Sequence, residues 1–172
     1  MIRKFEGKFR VPAPELGMKM TRSYEGELDV YTKTDAIPVK LDKDAILPSR
    51  AHVPDAGADL YAREDKWIWP WSGAVFDTGV HMEIPYGYVG ELEPKSGLNV
   101  NHNLVGWGTI DSGYTGSIRV KLYNLGWKPH KVHKGDKISQ IVIYPVELCG
   151  FSRVETLDET ERGDGGFGST GK

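Results

Sequence analysis

No segment of this 172-residue chain sustains apolar residues at helical spacing, and that constrains the fold more than any other feature. Alternation takes its place. Ile118, Val120 and Leu122 interleave with Arg119, Lys121 and Tyr123, the period of a half-buried strand. Phe76 to Ile84, Tyr88 to Leu92 and Ile138 to Val146 are further β-rich runs. Pro85-Tyr86-Gly87, Ser112-Gly113 and Lys134-Gly135-Asp136 separate such runs with turn chemistry. Many short strands at this spacing predict an all-β fold, a sandwich or a distorted jelly-roll-like β-barrel. At most one short helix fits, beginning near Ser96 and ending by Asn103.

Residues 1–35 have a different texture. Arg3, Lys4, Lys8, Arg10, Lys19 and Arg22 are interspersed with single aromatics, and Pro12 and Pro14 break any helix. They predict an arm or a pair of short strands ahead of a barrel domain at 36–160. A hydrophobic fraction of 39% and a charged fraction of 27% describe a soluble globular chain. The net charge of -2 recruits no nucleic-acid backbone globally, so phosphate binding has to come from local placement. No apolar run approaches the roughly 18–20 residues of a membrane span, and the basic N-terminus has no apolar segment behind it. Cys149 is the single cysteine, which excludes an internal disulfide and a thiolate zinc cluster and predicts a reducing, cytoplasmic setting. His130 and His133 are three apart without further ligands nearby, so they read as surface residues.

Five segments carry chemistry. Arg162 to Lys172 holds five glycines, one aromatic and a Ser-Thr pair, with nothing to pack a core. By composition 161–172 is a mobile tail, either a plain linker or a lid. Its glycines let backbone N–H groups approach phosphates, Arg162 offers a fork for them, and Phe167 offers a face for a base. Asp55-Ala56-Gly57-Ala58-Asp59 puts two carboxylates around a glycine. Asp55 reads as a turn former, and Asp59 either as a solvated strand-edge residue or as holding water on a hard cation such as Mg²⁺. Pro94-Lys95-Ser96-Gly97-Leu98 places a cation, a hydroxyl and free N–H groups at a helix start, with Ser96 also a natural N-cap. In Gly108-Thr109-Ile110-Asp111-Ser112-Gly113-Tyr114, Asp111 is either an Asx-turn former or a partly buried general base, and Tyr114 offers a flat face to a sugar. Gln140, on an otherwise apolar strand, needs a partner on a neighbouring strand or a ligand.

In order and spacing, the segments AGADLYA, PKSGL, GTIDSGYTG, GDKISQ and RGDGGFGSTG resemble the five motifs of the homotrimeric deoxyuridine triphosphatase (dUTPase) family. The resemblance spans about residues 37–172. It implies a homotrimer that hydrolyses dUTP to dUMP and pyrophosphate with Mg²⁺, the metal held chiefly by phosphates and water. It also implies a cytoplasmic enzyme of a bacterial cell or a virus-infected host, binding neither membrane nor nucleic acid. Asp111 matches the general base that activates the water attacking the α-phosphorus. Tyr114 matches the ring that excludes a 2′-hydroxyl. Gly108, Thr109 and Ile110 match the backbone that reads uracil. Lys95, Ser96, Gly97 and Gln140 fall at phosphate-contacting positions. Arg162, Gly168, Ser169 and Thr170 match the phosphate-gripping tail, and Phe167 its lid over the base. Asp59 would be an outer-sphere metal partner.

Two positions depart from the pattern. Lys95 stands where Arg is usual, exchanging a planar fork for a point charge. Ser139 stands where a small apolar residue is common. Two alternatives remain on the same resemblance: a dCTP deaminase-like enzyme of the same fold, which the intact tail argues against, and a dUTPase-like regulatory protein docking a partner protein, for which residues 1–35 are the candidate surface.

Overall fold

A computed structural model gives the backbone of residues 3–12 and 21–30 and describes residues 36–166 in full. Phe167, Gly168, Ser169 and Thr170 lie outside the described residues. The N-terminal segment is a two-stranded antiparallel ribbon, β1 (Arg3–Pro12) with β2 (Thr21–Val30), each strand ten residues long. That is the expected pair of strands, longer than expected. Then come β3 (Val39–Leu41), β4 (Ala58–Tyr61), β5 (Lys66–Ile68), β6 (Ser72–Asp77), β7 (Val80–Met82) and β8 (Tyr88–Glu93). The helix α1 (Ser96–His102) follows, and β9 (Leu104–Val105), β10 (Gly108–Asp111), β11 (Arg119–Asn124), β12 (His130–Val132) and β13 (Lys137–Pro145) complete the chain.

The β sequence closes on itself as a distorted jelly-roll-like barrel. A four-stranded sheet in the order β10-β8-β13-β4 and a three-stranded sheet β6-β11-β9 form its larger parts, with the pairs β12-β5 and β3-β7 beside them. Alternation in β11 works as read: Val120 and Leu122 are buried, and Arg119, Lys121 and Tyr123 face outward. They join Phe76, Leu60, Ile68, Leu104, Ile118 and Ile138 in one core cluster. Apolar burial of this kind contributes about 1.5–3 kcal/mol per large side chain, the main term offsetting chain entropy.

One expected strand is two. The run Phe76 to Ile84 breaks at Thr78-Gly79, so β6 pairs with β11 while β7 pairs with β3. Gly79 takes φ +66°, a region open to glycine, and its N–H is held by Asp77 Oδ1 and Ser117 Oγ. Buried Thr78 closes the corner by donating from Oγ1 to the Ile118 carbonyl at 2.7 Å. The helix lies where it was expected, but its N-cap is Lys95, without a side-chain cap bond, and Ser96 is the first helical residue. Asn103 ends α1 in the left-handed region at φ 53°.

The register of the four-stranded sheet positions the site. Asp111, Val89 and Tyr144 form one row across β10, β8 and β13. Thr109, Glu91 and Val142 form the next, and Glu93, Gln140 and Asp59 the row at the far end. With a side-chain period of two, all of these share the outer face, while Ile110, Leu92, Ile141 and Leu60 point to the core.

Candidate active site

At one corner of that outer face lies a cavity of about 420 Å³ lined by Asp55, Gly57, Asp59, Glu93, Lys95, Gln140 and Tyr144 among others. Asp59 is not the solvated edge residue of the simpler reading, since only 3% of its surface is exposed. Lys95 Nζ reaches its Oδ1 at 2.5 Å and Lys137 Nζ its Oδ2 at 2.7 Å. Burial pushes the Asp59 carboxyl up, but hydrogen bonds and charge from Lys137 and Lys95 together outweigh it and hold the carboxyl below its ordinary value. The same bond raises the Lys137 ammonium. Gln140 finds a partner on the neighbouring strand's end, donating from Nε2 to the Pro94 carbonyl at 3.3 Å. Its amide lies over Gly57, where a Cβ would stand 2.3 Å from Oε1, so a larger residue there would displace the Gln140 amide. Asp55 forms the expected turn, accepting from the His52 N–H at 2.9 Å. Ser139 is buried with its hydroxyl satisfied by the Glu93 carbonyl at 2.9 Å, so the polar departure is absorbed.

Beside this cavity, the first intrahelical bond of α1 runs from the Asn99 N–H to the Lys95 carbonyl. The N–H groups of Ser96, Gly97 and Leu98 thus stay outside the helical ladder. A Cβ on Gly97 would meet nothing within 4 Å, so no contact inside the described chain asks for glycine there.

A second cavity of about 270 Å³ is lined by Thr109, Ile110, Asp111, Tyr114 and Arg119, and it shares no residue with the first. β10 is the edge of its sheet, so every second residue turns its backbone N–H and C=O away from β8. Thr109 bonds to both carboxylate oxygens of Glu91 at 3.1 Å. Ile110 is buried and Gly108 has no side chain, so both offer a ligand only backbone. Asp111 starts a tight turn closed by the Tyr114 N–H on the Asp111 carbonyl at 3.2 Å, with Gly113 at φ +85°. That is type II geometry, which calls for glycine at the third position. The partly buried base expected at Asp111 is instead exposed in the single chain. Its carboxylate takes no hydrogen bond or ion pair from the described residues. Tyr114 is 46% exposed and is steadied by donating to the Ser117 carbonyl at 3.1 Å. Gly116 lets that ring lie close, since a Cβ there would sit 2.5 Å from the phenol oxygen.

The chain from Val146 to Asp164 is exposed throughout and has neither strand nor helix. Arg162 folds onto its own turn, donating from Nε to the Gly165 carbonyl at 2.8 Å. The structure thus gathers Asp59, Lys95 and Gln140 in one cavity and Thr109, Ile110, Asp111 and Tyr114 in another. Lys137 and Arg119 escaped the sequence reading. Lys137 had a signal in its place within GDKISQ, whereas Arg119 looked like an ordinary outward residue of an alternating strand. His130 and His133 act separately: His130 rests 4.6 Å from the His102 ring, and His133 lies 3.3 Å from Asp65. No group of three or more His, Cys, Asp or Glu residues is placed to hold a metal among the described residues.

The chain is similar to known proteins over most of its length. The dUTPase family model matches residues 43–171. The deoxyuridine 5'-triphosphate nucleotidohydrolase of Corynebacterium glutamicum is 48% identical over 138 residues, covering 78% of this chain and 93% of the relative. That of Mycobacterium leprae is 45% identical over 147 residues, covering 80% and 96%. Among solved structures, a mutant dUTPase of Staphylococcus bacteriophage 80alpha with dUpNHpp superposes with a TM-score of 0.72 at 33% identity, covering 81% of this chain and 100% of that one. The dUTPase of phage phi11 of S. aureus, described with a structural Mg(II) ion, gives 0.67 at 29% identity, covering 71% and 98%. With a barrel of this topology, five motifs in order and a family match across most of its length, the chain belongs to the dUTPase family.

Proposed function

We propose that this chain hydrolyses dUTP to dUMP and pyrophosphate, with Asp111 as the general base for the water that attacks the α-phosphorus. The observation that carries the reading is the second cavity. A carboxylate unpaired among the described residues, a half-exposed ring and a strand at the edge of its sheet lie within seven residues, Gly108 to Tyr114. A carboxylate free of internal partners accepts a proton from water held within hydrogen-bond reach. Tyr114 packs on the deoxyribose and fills the space of a 2′-hydroxyl. The outward peptide groups of Gly108 to Ile110 pair with the uracil edge as a neighbouring strand would. Lys95, Ser96, Gly97 and Gln140 hold the phosphates, and the open space at Gly97 suits an approaching oxygen. Arg162, Gly168, Ser169 and Thr170 close over the phosphates with Phe167 on the base.

The residues present fit Mg²⁺ only as a cation carried by the triphosphate and its waters, since both Asp59 oxygens already face ammonium groups. Asp59 is then an outer-sphere partner, and the ion supplies neutralisation of phosphate charge. The sheet register bears on assembly. Asp111 and Gln140 are two strands and four residues apart on one face, roughly 17 Å by ordinary sheet spacings. A base and a phosphate grip so far apart do not serve one bound nucleotide, so Asp111 of one subunit works with the phosphate cavity of another, in a trimer. The residues ahead of the family match, with the β1–β2 ribbon, carry no part of this reading. Pyrophosphate release with Mg²⁺ from dUTP, dCTP, dTTP and UTP tests it. Release from dUTP alone is expected, and equal release from UTP or none from dUTP overturns it.

A further inference from the structure

His81 lies on β7, opposite Lys40 of β3, and faces outward between buried Val80 and Met82. Its two ring nitrogens each meet an oxygen. Nδ1 is 2.8 Å from the Thr115 carbonyl and Nε2 is 3.2 Å from Asp42 Oδ1. Both oxygens are acceptors only, so both bonds exist together when the ring carries two protons. With one proton, the ring keeps one bond and turns a lone pair toward the other oxygen. Thr115 directly follows Tyr114. The return arm of the turn is held elsewhere as well: Ser117 Oγ bonds Asp77, and the Ile118 N–H bonds the Val80 carbonyl at 2.8 Å. At the peptide next to Tyr114 the tie is His81.

We infer that His81 is a positioning residue for sugar selection, joining Asp42 to the Thr115 carbonyl and so setting the Tyr114 ring against the nucleotide. The inference rests on the role given to Tyr114 above. Several charged groups surround the ring. Asp42 and Lys40 come from the β3 side, Arg63 lies 3.6 Å from Asp42 and 3.2 Å from Asp77, and Glu83 comes directly after β7. Arg63 anchors Asp42 so that its second oxygen has a cation of its own, while His81 takes the first. The ring thus transmits the position of the barrel wall to the turn through one side chain.

The test measures kcat and KM for dUTP and UTP. The proteins are the unaltered chain, His81→Phe, His81→Gln and Asp42→Asn. Losing one net hydrogen bond at the turn predicts that His81→Phe raises KM for dUTP about threefold to tenfold, lowers dUTP-over-UTP discrimination to match, and leaves kcat within about twofold. His81→Gln keeps an N–H for the Thr115 carbonyl and restores KM. Asp42→Asn keeps KM near that of the unaltered chain, because the new amide donates to Nε2 and a ring with one proton still holds Thr115. Unchanged discrimination in His81→Phe, an equal loss of kcat for both nucleotides, or a KM in His81→Gln as high as in His81→Phe overturns the inference while the activity stands. An unaltered chain that releases no pyrophosphate from dUTP overturns the activity itself, and this role with it.

Discussion

Asp59 and Asp111 lie on the same face of one sheet and have opposite surroundings. Asp59 is buried with an ammonium on each oxygen, whereas Asp111 stands exposed at the end of an edge strand. The first is spent on cross-linking β4 to the start of α1 and to β13, and it organises two cations beside the larger of the two cavities. The second has no hydrogen-bond or ion-pair partner among the described residues. A carboxylate suits proton transfer where no internal partner competes, and suits electrostatic scaffolding where several do. The two cavities inherit this difference, one stiffened by ion pairs and the other built from a turn and a free edge.

The comparison breaks most visibly at Asp111. Asp111→Asn keeps the turn's shape but cannot take a proton, so turnover should fall about 10²–10⁴-fold with dUTP binding retained. Single-turnover assays and calorimetry with a non-hydrolysable analogue check the two halves, and near-normal turnover removes Asp111 from the mechanism. Next in size, deleting residues 161–172 should cost most of the activity while melting temperature and oligomeric state stay unchanged, because the described part of this tail, 161–166, is exposed or only half-buried and adds little to the core. A large drop in melting temperature would show that the tail packs on the barrel instead.

Tyr114→Ala sharpens the contrast by altering selectivity rather than chemistry. Discrimination between dUTP and UTP should relax on the order of 10–100-fold in kcat/KM, and an unchanged ratio would place sugar selection elsewhere. Asp59→Asn acts on stability and not on selectivity, by about 1–3 kcal/mol, since its two lysines reach solvent and relax once released. The folded Asp59 carboxyl titrates below its ordinary value of 3.8. Its contribution is therefore complete above that value and is lost as pH falls through the folded one. Melting curves of the unaltered chain should drop on acidification through this range, and those of Asp59→Asn should drop less steeply. Parallel acid profiles would mean the pair adds no stability.

Much of this was legible in the chain. β11 alternates as its side chains do, α1 starts at Ser96, and Gly113 sits where a type II turn needs it. The exposure of Asp111 was not legible, because an apolar run before a turn says nothing about which sheet edge it becomes. The break between β6 and β7 was hidden as well, since Thr78 and Gly79 form a corner only with Ser117 and Ile118 to hold it. Gln140 showed its need for a partner but not that the partner is the Pro94 carbonyl.

By itself the sequence determined the β class, the turns and the helix start, which follow from local dihedral preference and side-chain period, and it carried the five ordered motifs that resemble the family's. The tertiary structure alone decided that Lys95 and Lys137 share Asp59, that His81 reaches Thr115, and that the site residues fall into two cavities. Those pairings join positions 34 to 78 residues apart; the two at Asp59 depend on the sheet order β10-β8-β13-β4, and that at His81 on the Ile118 N–H bonding the Val80 carbonyl.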